Sequence, residues 1–176
     1  MKEKAQVWVS AILYLALGLV VIGLILGIAM PLVNKMRDRN TLIQTKTLMV
    51  NLNKNIFDVI NEGPGSKRFL SPFTVEKGEL YINSNPANSI YWKFTTKNKL
   101  MEPDILFREG DLKLNLTETT VVGEYYALLT LEYGRANLEL NSDLANPFVG
   151  TYSITIENSG YNENERDPTV TISIKT

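Results

Sequence analysis

The sequence contains neither cysteine nor histidine. Without thiols there is no disulfide framework, no thiolate nucleophile and no Cys/His zinc site; without imidazole there is no His-based triad. A Gly-rich phosphate cradle, a Ser-x-x-Lys and a Gly-x-Ser-x-Gly are also missing. We therefore assign no catalytic residue, no metal ligands and no cofactor, and expect a protein that is not an enzyme. Another absence is regional. Between Lys4 and Lys35 no residue carries a charge at neutral pH, and Val, Ile, Leu, Ala and Gly dominate.

That stretch, Ala5 to Asn34, is roughly thirty residues long, and a helix needs only ~20 to cross the hydrocarbon of a bilayer. It comes after a charged leader, Met1-Lys2-Glu3-Lys4-Ala5, and is too long for the ~7–15-residue core of a cleaved secretory signal. Gly18, Gly23 and Gly27 punctuate it. Gly23 and Gly27 have the Gly-x-x-x-Gly spacing that lets helices approach closely where packing drives association. Pro31 removes a backbone donor and is expected to kink or loosen the helix there. Lys35, Arg37 and Arg39 form a basic collar after the segment, against Lys2 and Lys4 before it, so the positive-inside rule alone does not favour export of the C-terminal residues.

From Asn34 to Asn61 the chain is polar yet keeps a helical rhythm. Leu42, Met49 and Ile56 are spaced by seven, as are Ile43, Val50 and Phe57, with Leu52 and Val59 on the same broad side. This predicts an amphipathic helix stopped by Gly63-Pro64-Gly65. Most of its stripe is expected to dock on the protein's own domain, the remainder on neighbouring helices.

Beyond the break the period becomes two. Leu80 and Ile82, Ile90 to Phe94, Leu112 to Leu116, Ala127 to Tyr133, Leu138 to Leu140, Tyr152 to Ile156 and Val170 to Ile174 each read as half-buried strands. Turn chemistry separates them at Asn83-Ser84-Asn85-Pro86, Gly134-Arg135, Asn146-Pro147 and Asn158-Ser159-Gly160. Seven short strands at this spacing predict an antiparallel β-sandwich. The fold class is thus α+β, with residues 1–5 a leader, 6–61 the helix (6–34 hydrophobic, 35–61 amphipathic) and 66–176 a β-sandwich head. Charge divides with the elements. Residues 1–68 hold nine Lys and Arg against four Asp and Glu, and residues 69–176 hold nine against fifteen. An acidic head is no nucleic-acid footprint.

Lys4-Ala5-Gln6 followed by a long apolar helix resembles the prepilin-type signal of archaeal type IV pilins and archaellins. The resemblance implies cleavage between Ala5 and Gln6 by a prepilin-type peptidase, and a membrane-inserted precursor. It also implies handling by pilus assembly machinery, and a homo-oligomeric extracellular filament whose helices pack through Gly18, Gly23, Gly27 and Pro31. It implies an outward-facing head, exposed for surface contact or adhesion. Where many pilins carry a Glu at the fifth mature position, this chain has Ser10. The alternative reading is a non-polymerising, single-pass membrane-anchored binding module, adhesin-like or archaellum stator-like.

Two acidic groups, Glu102 with Asp104 and Glu163, Glu165 with Asp167, lie beside Pro103 and Pro168 in turn-like surroundings. Both read as solvated loops, the second also as a weak calcium candidate interrupted by Arg166. Asn115-Leu116-Thr117 is the chain's one Asn-x-Ser/Thr sequence, and strand alternation turns Asn115 outward, as glycosylation requires.

Overall fold

A computed structural model of the chain describes residues 2–83, 88–162 and 166–176, with backbone alone for residues 2–7, 9 and 10. The turn residues Ser84, Asn85 and Pro86, the acids Glu163 and Glu165, and the side chains of Ala5, Gln6 and Ser10 therefore lie outside the described residues. Two compact units are present, Met1–Asp38 and Arg39–Thr176, and each is described by itself.

A single helix, α1, runs Lys2–Glu62. It begins before residue 6 and does not end at Pro31, whose missing donor costs one hydrogen bond without ending the helix. Its stop falls where the sequence places it. Gly63 and Gly65 take φ of +93° and +86°, left-handed values that glycine adopts without steric cost. In the first unit every side chain from Ala11 to Arg37 is exposed except the half-buried Ala29. This apolar helix leaves nearly all of its hydrophobic side chains exposed.

Among the described residues of the second unit the rest of α1 is joined to eight strands. They are β1 (Lys67–Ile82), β2 (Ser89–Thr96), β3 (Phe107–Glu109), β4 (Leu112–Glu118), β5 (Tyr125–Glu132), β6 (Asn137–Asn141), β7 (Phe148–Gly160) and β8 (Thr169–Lys175). They form one sheet in the order β3-β4-β5-β2-β1-β7-β8-β6. Every pairing is antiparallel except β6 with β8. The strand count predicts a sandwich; the pairing gives the coarser result, an α+β layout with a mostly antiparallel sheet.

Register explains the core. Leu114, Leu129, Trp92, Leu80 and Phe148 face one another in turn across β4, β5, β2, β1 and β7, and all five are buried. Leu42, Met49, Leu52, Ile56 and Val59 of α1 belong to the same core. Burying each contributes about 1.5–3 kcal/mol, so this row outweighs any single polar contact between helix and sheet. Around Met49 the fit leaves a void of only about 10 Å³ against Phe73, Val75, Leu80 and Trp92. One glycine makes the close approach possible. A Cβ on Gly78 would meet Lys93 O at 2.5 Å and Trp92 Nε1 at 2.9 Å, and its φ is +88°. The indole is held there by its donation to Lys77 O at 2.8 Å.

Two sequence expectations are corrected. Asn158-Ser159-Gly160 is no turn but the end of β7, with Asn158 buried. Its amide is recruited by the end of α1, and the register of β7 against β8 shifts between Asn158 and Gly160. Tyr133 lies just past β5. The split of the two heptad rows sharpens a third: Leu42-Met49-Ile56 is buried, and Ile43-Val50-Phe57 is the part left exposed.

Candidate functional site

Among the described residues no group of three or more acidic side chains is placed to hold a metal ion. Glu102 pairs with Lys99 at 2.9 Å, an exposed contact of small energetic weight, and this partner raises the Lys99 pKa. Asp104 sits in a turn at φ +58°, its N–H given to Leu116 O at 2.8 Å. Neither carboxylate is held in a cleft.

The first candidate surface is the N-terminal helix. It is long and apolar enough to cross a membrane. Around Gly18, Gly23 and Gly27 nothing lies within 4 Å of where a Cβ would stand. These three positions are open to another helix. Ala5 and Gln6 lie within the span of α1, with their side chains outside the described residues.

The second is the exposed heptad row of the second unit. Ile43, Val50 and Phe57 are 51%, 47% and 37% exposed, although the row beside them completes the core. Each end of the row borders a concavity. Ile43 lines a groove of about 420 Å³ with Gln44, Leu48, Pro72 and Thr74, and Phe57 lines one of about 560 Å³ with Ile60, Tyr133 and Ala136.

Polar ties add to the packing that sets the row's direction. The Val59 carbonyl receives the Asn158 amide at 3.0 Å and the Ser66 hydroxyl at 2.7 Å. Tyr133 donates its hydroxyl to Asn53 Oδ1 at 2.9 Å, and Asn53 donates to Asp111 at 3.2 Å. Burial, then the Asp111 charge, pushes the Tyr133 phenol above its ordinary range. Lys46 of α1 pairs with Glu109 of β3. With α1 tied at these points, Ile43, Val50 and Phe57 face away from the core.

Asn115 stands on β4 between the buried Leu114 and Leu116, on the opposite face, as alternation predicts. Its amide donates to the Thr117 hydroxyl at 3.2 Å, and its Oδ1 is buried with no hydrogen bond among the described residues. Sequence reasoning missed the tip between β4 and β5, where Val121 and Val122 project. Two adjacent apolar residues bounded by Thr120 and Gly123 are a signal that strand-by-strand reading passes over. Comparison with protein-family models, with curated proteins and with solved structures finds no match to this chain.

Proposed function

We propose that this chain is a structural subunit of an extracellular filament resembling archaeal type IV pili. In this reading it is made as a membrane-inserted precursor, cut between Ala5 and Gln6 by a prepilin-type peptidase, and polymerised by packing of the apolar helices. Sheet and helix end together form the exposed head. In this reading the register shifts along β1 and β7 allow the sheet to curl over the helix as a sandwich-like head. Asn115 on its outer face is the proposed glycan acceptor.

The observation that carries the reading is the row Ile43-Val50-Phe57. A membrane anchor alone accounts for the apolar surface before Lys35, because the bilayer covers it. It does not account for three large apolar side chains beyond the collar Lys35, Arg37 and Arg39, in a segment whose own core is complete. Neighbouring copies cover both. Moving the first stretch from lipid to a filament core exchanges one apolar surroundings for another, so close packing decides, and Gly18, Gly23 and Gly27 supply the room. The second reading, an anchored and non-polymerising module, shares the helix and is favoured by its capacity to span a bilayer.

Two measurements separate the readings. Material from the native cell surface is expected to begin at Gln6 and to appear as filaments by electron microscopy. Gly23→Leu and Gly27→Leu are expected to abolish filaments while leaving the membrane-bound subunit folded, since a Cβ at either position stands in open space. A retained Met1–Ala5 with no filaments supports the anchor. Normal filaments from both leucine variants remove the packing role of the glycines.

A further inference from the structure

We infer that the recess on the outer face of the sheet, between Glu79 of β1 and Lys93 of β2, binds a neutral saccharide. The inference goes beyond the filament reading and does not depend on it, because an anchored module presents the same face. Backbone makes the recess. Between Val75 and Leu80 β1 advances five residues while its partner β7 advances two, from Gly150 to Phe148. Such a bulge interrupts pairing and re-aims side chains. The hollow at this place has a volume of about 470 Å³, and its lining includes Gly78, Glu79, Lys93, Thr95, Tyr126 and Val149. Gly78 belongs to the bulge, and its lack of a Cβ lets the bulge sit directly against the Lys93 carbonyl of β2.

The two charged side chains of the lining are held apart. Glu79 and Lys93 are directly opposed across β1 and β2, and their neighbours Leu80, Trp92 and Phe94 fill the core, so both point outward. Opposite charges so placed attract one another. No ion pair joins these two among the described residues, because a tyrosine draws each aside. Glu79 Oε2 accepts from the Tyr81 hydroxyl at 2.8 Å, and Tyr81 is itself stacked on Tyr91 with 4.6 Å between centroids. Lys93 Nζ stands over the Tyr126 ring, 4.0 Å from its centroid. The second carboxylate oxygen of Glu79 and the Lys93 donors turned away from the ring are left to serve a ligand.

Charge selects the ligand. Glu79 and Lys93 are the charged residues of the lining, one of each sign, so a net anion or cation meets one repelling partner. An apolar ligand would strip both of water with nothing in return. A saccharide is uncharged, and each of its hydroxyls both donates and accepts, so one ring can answer Glu79, Lys93 and the Thr95 hydroxyl together. Its C–H face is left for the Tyr126 ring and for Val149, which is 53% exposed. A zwitterion also carries both charges, but ion pairs with half-buried side chains in an open recess gain little over water, and it leaves the Thr95 hydroxyl unused.

The test applies the full-length chain, carrying a C-terminal tag, to an array of immobilised neutral, sialylated and sulfated glycans. A polyoxyethylene detergent is used, because alkyl glycosides share the chemistry of the ligand. Capture by neutral glycans is expected, and affinity for the best of them, titrated in solution, should fall at least tenfold in Glu79→Ala and in Lys93→Ala. Lys113→Ala, on the same face but outside the recess, should bind as the unsubstituted chain does. Glu79 and Lys93 are half-buried, so the melting temperature of each variant is measured alongside. Where either variant melts early, Thr95→Val at an exposed position decides the matter, with a several-fold loss of affinity expected. Capture by no glycan, capture of sialylated or sulfated glycans alone, or capture that survives all three recess substitutions overturns the inference and leaves the filament reading standing. Absence of filaments from the native surface, with capture intact, overturns the filament reading alone.

Discussion

Replacing Asn158 with Ala tests whether the end of α1 is tied to the sheet as described. Asn158 is 1% exposed, its amide donates to Val59 O at 3.0 Å, and its Oδ1 accepts from Gly160 N at 3.0 Å. Alanine removes both bonds at a site that water does not reach. The buried Gly160 N–H loses its side-chain acceptor, and such an orphaned group costs about 1–3 kcal/mol. The Val59 carbonyl loses one side-chain donor and keeps the Ser66 hydroxyl, whose single proton is shared with Gly63 O at 2.7 Å, which adds a second loss of about 1 kcal/mol. The backbone pairing of Asn158 with Gly65 and Ser66 survives the change. The sum is about 2–4 kcal/mol, or a drop in Tm of about 6–16 °C for a domain of this size. The assay is thermal unfolding of the full-length chain in detergent, monitored by the circular dichroism of its sheet. Asn158→Asp sharpens it, because aspartate still accepts from Gly160 but sets a carboxylate oxygen against the Val59 carbonyl. It should melt no higher than the alanine variant. A shift below about 2 °C for alanine refutes the reasoning, because that is under the cost of one buried orphan.

Asn158 also shows where sequence reasoning stops. Asn-Ser-Gly is turn chemistry by local preference, and only the terminal carbonyls of α1, some hundred residues earlier, draw it into β7. The opposite holds for Gly63-Pro64-Gly65, where backbone freedom and a missing donor act locally, and the helix ends there. Strands β2, β4, β5 and β8 were legible because each buries every second side chain on one face. The first half of β1 was not, because its register shifts between Leu70 and Phe73 break the alternation, and three-residue β3 is too short to show a period. Pairing order was closed to sequence for a related reason. Alternation names the buried face of a strand but not its neighbour, so one sheet and two read alike. The candidate surface was half legible. Two adjacent heptad rows, Leu42-Met49-Ile56 and Ile43-Val50-Phe57, are equally apolar, and what exposes the second is that the first joins Leu52 and Val59 in the core, with the ties from Asn53 and Val59 to the sheet acting in the same direction.

Two further predictions concern Asn115 and Tyr133. Native surface material is expected to carry a glycan on the peptide containing Asn115, absent from Asn115→Gln; an unmodified Asn115 peptide from native filaments, read by mass spectrometry, removes the proposal. The Tyr133 phenol is held above the usual tyrosine range by burial and, next, by the charge of Asp111. An unfolded tyrosine loses its proton near pH 10, while folded Tyr133 keeps it. Above about pH 10 the unfolded state thus binds fewer protons than the folded one, and stability falls as pH rises; below that it is fully present. The decline attributable to one such group reaches about 1.4 kcal/mol per pH unit. Tyr133→Phe loses the hydrogen bond to Asn53 and is expected to be less stable by about 1 kcal/mol at neutral pH. The ring contact with Phe57, at 6.0 Å between centroids, is retained. Because phenylalanine has no proton to lose, the variant's stability should fall less steeply above about pH 10, and the two curves should converge there. Tyr81 is shifted the same way through its bond to Glu79, so the difference between variant and parent, not the parent curve alone, isolates Tyr133. Denaturant midpoints of both chains from about pH 8 to about pH 11 supply that difference, and curves that stay parallel across the range refute the assignment of a buried, proton-holding Tyr133 between α1 and the sheet.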